Sequence, residues 1–390
     1  MAQTIYTGID IGTYHVKVVI AAPAPTPEAP MHIIGTGIAS SKGMRHGYIL
    51  DNAEATKSIR AALQRAQGAA KVAVRRARIA VGGAGLDEIK SSASITLTAW
   101  SGIVTDAALS RAWQESEKQA SSKLVNRTVI HTIPLGYRID GESVLGSPVG
   151  LQGTKLSVDT LIVTLLSQHY DDIIEAVEAA GVEVEGVMAS PLAASLVTLT
   201  KAQKTAGVCL ANIGAETISV VVFDNDIPVS VKVFPIGAAD ITNTIALSFQ
   251  VPLAEAEQLK RGAVTGSDIP GKKMDTIIST KLKEMFTLVN AHLKAIGRQR
   301  LLPAGIVITG GGSGLTSAAE IARAVLKLPS QTAQIGLLAR ASTVDATWAV
   351  AAGLCRWAYA EDMGGRTSSI AEILGGGWAG IKKGIRSLLP

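Results

Sequence analysis

The chain has 390 residues, 47% of them hydrophobic, 4% aromatic and 18% charged, which excludes a disordered chain. Its 39 Gly follow no three-residue period, excluding collagen, and two Cys exclude a disulfide scaffold. The net charge is +5, yet the basic clusters at Lys71–Arg78, Lys272–Lys273 and Lys382–Arg386 lack aromatic interleaving and any helix-turn-helix or zinc pattern; no nucleic-acid partner is expected.

The N-terminus carries neither a basic n-region nor an apolar h-region, and no stretch reaches the roughly 18 to 20 apolar residues of a membrane span. The expectation is a cytoplasmic protein that can still attach to a membrane peripherally. In chain order, Ile5–Asp10 and Val16–Ala21 read as strands joined by Ile11-Gly12-Thr13-Tyr14-His15. A third, Ile33–Ala39, follows the loop Pro23–Pro30, where repeated Pro forbids helix and central strand. Together they predict an antiparallel meander. Asn52–Ala70 predicts a helix with Ile59 and Leu63 on one face and Asp51 or Asn52 as cap. Ile79–Val81 reads as a strand ended by Gly82-Gly83-Ala84-Gly85.

From Leu86 to about Asp159 the character changes to Ser/Thr-rich strands (Ile95–Thr98, Val129–Ile133), one helix (Asp106–Ala120) and the loop Gly146–Gly153, which suggests an inserted subdomain. The alternation then resumes with a strand Leu161–Leu166, a helix Tyr170–Ala180, a strand Val182–Val187 and a helix after Pro191. The second half opens like the first: strand Val208–Asn212, the turn Gly214-Ala215-Glu216-Thr217, then strands Ile218–Phe223 and Val229–Val233. One unit repeated after about 200 residues implies a duplicated α/β fold with a cleft between its halves. A late strand, Ile306–Thr309, runs into Gly310-Gly311-Gly312-Ser313-Gly314 and a helix near Ser317–Val325.

Three turns carry the chemistry. In Asp10-Ile-Gly12-Thr13-Tyr14-His15, backbone N–H groups and the Thr13 hydroxyl can point at phosphate oxygens, and Asp10 can hold hydrated Mg²⁺ through water. Asn212-Ile-Gly214-Ala215-Glu216-Thr217 stands in the corresponding place of the second half. Gly310–Gly314 lets a flat base or ribose lie against bare backbone. Each alone is compatible with plain turn chemistry; the order and separation of all three are more specific.

In this order the turns resemble the phosphate-1, phosphate-2 and adenosine motifs of the actin, sugar kinase and DnaK-type ATPase superfamily. Within it the chain is most similar to the FtsA family of bacterial actin-like division proteins. The similarity rests on Gly47-Tyr-Ile-Leu-Asp51, His131–Gly141, Pro148–Gly153 with Lys155 and Asp159, Pro235-Ile-Gly237 with Ile241–Ala246, and Pro252–Lys260. It runs from about Thr7 to Tyr359 and resumes at the C-terminal tail.

The resemblance implies a duplicated, actin-like (ribonuclease H-like) two-lobed α/β fold. Subdomain 1A would comprise 1–85 and 160–205, the inserted 1C-type subdomain 86–159, 2A 206–251 and 304–360, and 2B 252–303. A linker would span 361–377 and an amphipathic membrane-targeting helix 378–390. It also implies ATP with Mg²⁺ as cofactors and Glu257 and Lys260, side by side at i and i+3, on the nucleoside. The implied partners are the FtsZ tail peptide at about Pro252–Pro303, other division proteins, further copies of the chain and the inner face of the cell membrane at the division site.

The departures from the family pattern matter. Asn212 stands for a carboxylate that orders metal and water, Ala215 and Glu216 stand for glycines, and Ser219 for a second carboxylate. A Glu216 anion 4 Å from phosphate would cost about 4 kcal/mol at an effective dielectric of 20. His15 stands where many relatives carry Lys, and Ser190 where hydrolysing relatives carry the Glu that orients water. Weakened nucleotide and metal binding, slow or absent hydrolysis and no catalytic residue are therefore expected.

After Gly375-Gly-Gly377, Trp378, Ile381, Ile385, Leu388 and Leu389 fall within an arc of about 100° on a helix, flanked by Lys382, Lys383 and Arg386. That pattern predicts an interfacial helix on a flexible linker. The alternatives are an actively hydrolysing actin-like ATPase and a PilM-like component of a pilus assembly platform; a sugar kinase lacks a recognisable sugar-binding carboxylate set.

Overall fold

The computed structural model describes residues 4–23, 31–97, 102–263, 270–315, 317–335 and 344–362. The opening apolar run forms β1 (Tyr6–Ile11) and β2 (His15–Ala22), antiparallel with Asp10 opposite Lys17, and β3 (His32–Ser40) extends the meander. A small hairpin, β4 (Met44–Arg45) and β5 (Tyr48–Ile49), leads into α1 (Asn52–Ala70). The Asp51 carboxylate caps α1 by accepting from the Glu54 N–H at 3.0 Å. The Ala55, Ile59, Ala62, Leu63 and Ala66 face of α1 is buried. Glycines on β3 bring strand and helix together: a Cβ on Gly37 would lie 2.0 Å from the Ala62 carbonyl oxygen. β6 (Arg76–Val81) pairs parallel with β1.

The inserted segment is built from β7 (Asp87–Thr96), α2 (Asp106–Gln119), β8 (Arg127–Ile139), β9 (Glu142–Val144) and β10 (Lys155–Leu166), in the sheet order β7-β10-β8-β9. Its strands are longer than their apolar cores suggest. Along β7 only Ala93 is fully buried, and the serines find partners instead: Ser92 Oγ donates to Asp159 at 2.6 Å and Ser91 Oγ to the Ser116 carbonyl at 2.8 Å. Leu161–Leu166 is a correction to the expected topology. It is the second half of β10 and pairs with β7 and β8, so it stays in the inserted sheet instead of resuming the main one.

The chain returns through α3 (Ser167–Ala179), β11 (Glu183–Ala189), α4 (Ser190–Thr198) and α5 (Lys201–Ala206). The second lobe comprises β12 (Val208–Ile213), β13 (Ile218–Asp224), β14 (Ile227–Phe234), α6 (Ala238–Phe249), α7 (Leu253–Lys260) and α8 (Gly271–Ala295). Then come β15 (Ile306–Thr309), a 3₁₀ turn (Gly311–Gly314), α9 (Ala318–Leu326), β16 (Ser330–Thr332) and α10 (Ala349–Asp362). The two five-stranded sheets have the same order, β3-β2-β1-β6-β11 and β14-β13-β12-β15-β16, with the same parallel and antiparallel neighbours. This is the duplication at the level of topology.

A second correction concerns α10. The resemblance places 304–360, and with it residues 349–360, in subdomain 2A of the second lobe, but α10 packs on α4, β1, β2 and β6 of the first. Two glycines explain the fit: a Cβ on Gly353 would lie 1.8 Å from the Ala193 carbonyl oxygen, and one on Gly8 2.1 Å from that of Ala351. Beyond Asp362, the expected linker and the tail from Trp378 to Leu389 lie outside the described residues. Among the described residues no helix is long and apolar enough to cross a membrane.

Candidate functional site

A cleft of about 1190 Å³ opens between the lobes, and the repeated β-hairpins supply its floor. The two hairpin turns close alike: the Gly12 N–H donates to the His15 carbonyl at 3.1 Å and the Gly214 N–H to that of Thr217 at 2.8 Å. A Cβ on Gly12 would sit 2.9 Å from the His15 carbonyl oxygen, so the tight turn requires glycine. Asp10, Gly12, Thr13, Tyr14 and His15 line the cleft from one lobe, and Asn212, Gly214, Ala215 and Thr217 from the other.

The third glycine run is wedged against the second turn. Gly310 has φ 85°, and a Cβ there would lie 2.3 Å from Asn212 Oδ1. A Cβ on Gly312 would meet Ile213 at 2.3 Å, whereas Gly311 faces open space with nothing within 4 Å. The backbone at Gly311 is thus a bare ledge that a planar group can approach. Ser313 was expected to face the ligand and does not: it is buried and its Oγ donates to the Gly310 carbonyl at 2.6 Å, spending the hydroxyl on the turn itself.

Glu257 and Lys260 also line the cleft, but as a pair 2.6 Å apart. Thr242 Oγ1 donates to Glu257 at 2.7 Å, and Lys260 Nζ donates to the Ala238 carbonyl at 3.1 Å. Burial alone would raise the Glu257 carboxyl; hydrogen bonds from Lys260 and Thr242 outweigh it and hold it low. Burial lowers Lys260 despite that partner. Leu253, Met274 and Ile278 add an apolar wall beside the pair. At the mouth, Arg261 approaches the Tyr14 ring to 5.9 Å from the opposite lobe.

Glu216 is the clearest departure from expectation. Its carboxylate turns out of the cleft and accepts the His46 backbone N–H on the β4–β5 hairpin, tying the second lobe to the first. The repulsion foreseen between this anion and a phosphate therefore does not follow from the side chain's placement.

Lys17 is a cleft residue the sequence reading missed. It faces Asp10 across the hairpin and donates to the Thr347 carbonyl. The three-residue turn from Gly12 to Tyr14 fixes that register, so hairpin arithmetic could have found it. The cation missing at His15 is supplied two residues later, on the same strand face. Burial pushes the Asp10 carboxyl up to about 6 against the pull of Lys17, and burial lowers Lys17 against the pull of Asp10 and Asp345. Burial and the charges of Lys17 and Arg261 hold His15 below its usual value, so it is neutral at pH 7.

Asp10 is a half-buried carboxylate at the cleft floor beside a single ammonium, which suits a hydrated divalent cation held through water. Among the described residues no group of three or more His, Cys, Asp or Glu forms a complete metal cage, so such an ion would share its shell with a ligand's oxygens. Asn212 and Ser190, both lining the cleft, present neutral groups.

The family model described as "Cell division protein FtsA" matches residues 209–353, and that of the "SHS2 domain inserted in FTSA" matches residues 83–164. Together they span more than half of the chain. The Cell division protein FtsA of Pseudomonas aeruginosa is 27% identical over 343 residues, covering 83% of this chain and 81% of that protein. Among solved structures, a PilM-PilN type IV pilus biogenesis complex aligns with a TM-score of 0.70 at 18% identity, over 92% of this chain and 99% of the other. MreB5 of Spiroplasma citri bound to ADP aligns with a TM-score of 0.52 at 11% identity, over 90% and 94%. These likenesses fit the duplicated two-lobed topology and its inserted sheet, which is the actin-like fold with an FtsA-type insertion.

Proposed function

Since the chain belongs to the FtsA family of actin-like cell division proteins, we propose that it binds ATP with Mg²⁺ between its lobes, turns it over slowly, polymerises, and tethers FtsZ filaments to the cytoplasmic membrane. The observation that carries the nucleotide reading is the convergence of three glycine turns on one cleft, with Asp10 and Lys17 at its floor and an open ledge at Gly311. Gly12, Thr13 and Gly214 would hold the phosphates, Gly310–Gly312 and the Glu257–Lys260 pair the nucleoside, and Asp10 the hydrated cation, which neutralises phosphate charge when bound. Lys17 would balance Asp10 and the phosphates together. Slow turnover follows from the neutral Asn212 and Ser190, since neither can take a proton from water.

The partner reading rests on the family and on the sequence of the tail. Segment 252–303 is the proposed FtsZ-tail site, and Trp378 to Leu389 the membrane anchor. The test is direct: ATP binding measured by calorimetry, turnover by phosphate release, and co-sedimentation of FtsZ with anionic liposomes with and without this protein. Turnover of about 1 s⁻¹ or more, in the ordinary enzyme range, would refute slow hydrolysis. FtsZ that stays in the supernatant whether or not the protein is added would refute the tether.

The PilM likeness favours a second reading, a pilus-platform component recruited by a membrane partner's peptide. Titration with an FtsZ C-terminal tail peptide and with a PilN peptide separates the two.

A further inference from the structure

We propose that helix α8 is a coupling rod that links the nucleotide end of the cleft to the inserted sheet through a His292–Ser230–Glu88 relay centred on the buried Ser230. The inference rests on the nucleotide reading of the cleft and adds how occupancy would be transmitted from it.

The two ends of α8 meet different parts of the molecule. Met274, Asp275 and Ile278, in its first turns, line the cleft. His292 lies eighteen residues beyond Met274, about 27 Å along a helix rising 1.5 Å per residue. There its Nε2 is 2.8 Å from Ser230 Oγ on β14. Ser230 Oγ donates to Glu88 Oε1 at 2.8 Å, and the Val231 N–H donates to Glu88 Oε2. Ser230 has one proton and gives it to the carboxylate, so the imidazole must be the donor to Ser230 through Nε2–H. Burial, with Lys232 and Lys90 nearby, lowers His292 to about 4, and the ring is neutral at pH 7 with that single proton. The Phe234 ring packs edge-on against the imidazole at 6.0 Å between ring centres.

Three bodies meet at this point: α8, the edge strand β14 of the second lobe, and β7 of the inserted sheet. Ser230 is fully buried, so water cannot substitute for its partners at low cost. β14 also packs against β8 and β10, and Asp87 pairs with Lys232 at 2.8 Å beside the relay. A shift of α8 driven from the cleft therefore has to be followed by Ser230 and Glu88, or it takes the Nε2–H of the half-buried His292 off its Ser230 acceptor.

The test is hydrogen exchange on the full chain, comparing the parent with Ser230→Ala, which cuts α8 from Glu88 but leaves the Val231–Glu88 bond. His292→Phe, which keeps an aromatic ring beside Phe234, is the second variant should Ser230→Ala misfold. Lys232→Ala is the control, removing the neighbouring ion pair but not the relay. Without nucleotide, amides 275–282 at the cleft end should exchange at least about threefold faster in Ser230→Ala than in the parent or in Lys232→Ala. With saturating Mg-ATP, protection of amides 87–96 should rise at least about threefold in the parent and be lost in Ser230→Ala, while protection at 310–312 remains. Equal rates at 275–282 in parent and Ser230→Ala, or the same change in Lys232→Ala, overturn the proposal. So does an ATP response of the inserted sheet that survives the mutation. If ATP protects nothing at 310–312 in the parent, the nucleotide reading has failed, and the ligand-free rates alone decide the rod.

Discussion

Asp10 has opposite effects on stability and on binding. Its carboxyl is raised by burial to about 6, so above that pH the fold carries an ionised group it would rather keep neutral. The sign is fixed by linkage: the unfolded chain releases this proton near 3.8 and the folded chain near 6, so the contribution to stability falls as pH rises through that interval. Asp10→Asn should therefore raise the nucleotide-free stability at pH 8 by an amount on the order of 1–3 kcal/mol, read as a higher melting temperature. The same substitution should weaken Mg-ATP at least about tenfold, because the anion that would hold the hydrated cation is gone. Calorimetric unfolding and binding isotherms at pH 8 check both signs, and a destabilised Asp10→Asn protein would contradict the first. His131 behaves in the other sense. Its buried ring accepts the Ala189 N–H at 3.1 Å and is lowered to about 3. Its contribution is fully present above the unfolded value of 6.5 and is lost as pH falls from there toward 3. His131→Gln should flatten the acid side of the stability curve in that window, measured by urea midpoints from pH 7 to 4.

At the scale of elements, the packing of α10 on the first lobe depends on Gly353. Any side chain there must displace the Ala193 backbone, so Gly353→Val should cost more than about 3 kcal/mol and leave little folded protein, read by circular dichroism and soluble yield. Sequence periodicity located the strands and helices of both meanders because their cores are aliphatic and short turns fix their registers. It undersized β7, since Ser91, Ser92 and Ser94 build a strand stabilised by hydroxyl hydrogen bonds and leave an alternation too polar to read. The return of α10 to the first lobe was not legible either, because an Ala-rich helix buried on nearly every side does not name the surface it packs on. At the site, the glycine turns were legible from their order and separation along the chain, whereas Lys17 needed the hairpin register and the outward turn of Glu216 needed the opposite lobe. Glu216→Ala should loosen the tie to His46 by about 1 kcal/mol while leaving the cleft lining intact. A denaturation midpoint shift without loss of ATP affinity is the expected outcome.

For the whole molecule the proposed task is mechanical: to hold a filament against a lipid surface. The described residues contain no membrane-spanning helix, so the anchoring proposal rests on the sequence from Trp378 to Leu389. Five apolar side chains entering the acyl boundary partway contribute less than the roughly 1.5–3 kcal/mol each of full burial. Lys382, Lys383 and Arg386 add about 1 kcal/mol each near an anionic surface, and salt screens that share. Ordering about a dozen residues, with Gly380 and Gly384 among them, opposes both gains. A monomer should then bind anionic liposomes weakly and in a salt-sensitive way. A polymer presents many tails at high effective concentration and should bind at least about a hundredfold more tightly. Trp378→Glu with Ile385→Glu places two charges on the apolar arc and should release the polymer into the supernatant without moving the melting temperature of the core. If that double variant co-sediments with anionic liposomes as well as the parent does, the tail is not the anchor, and the force on the membrane must pass through another surface of the molecule.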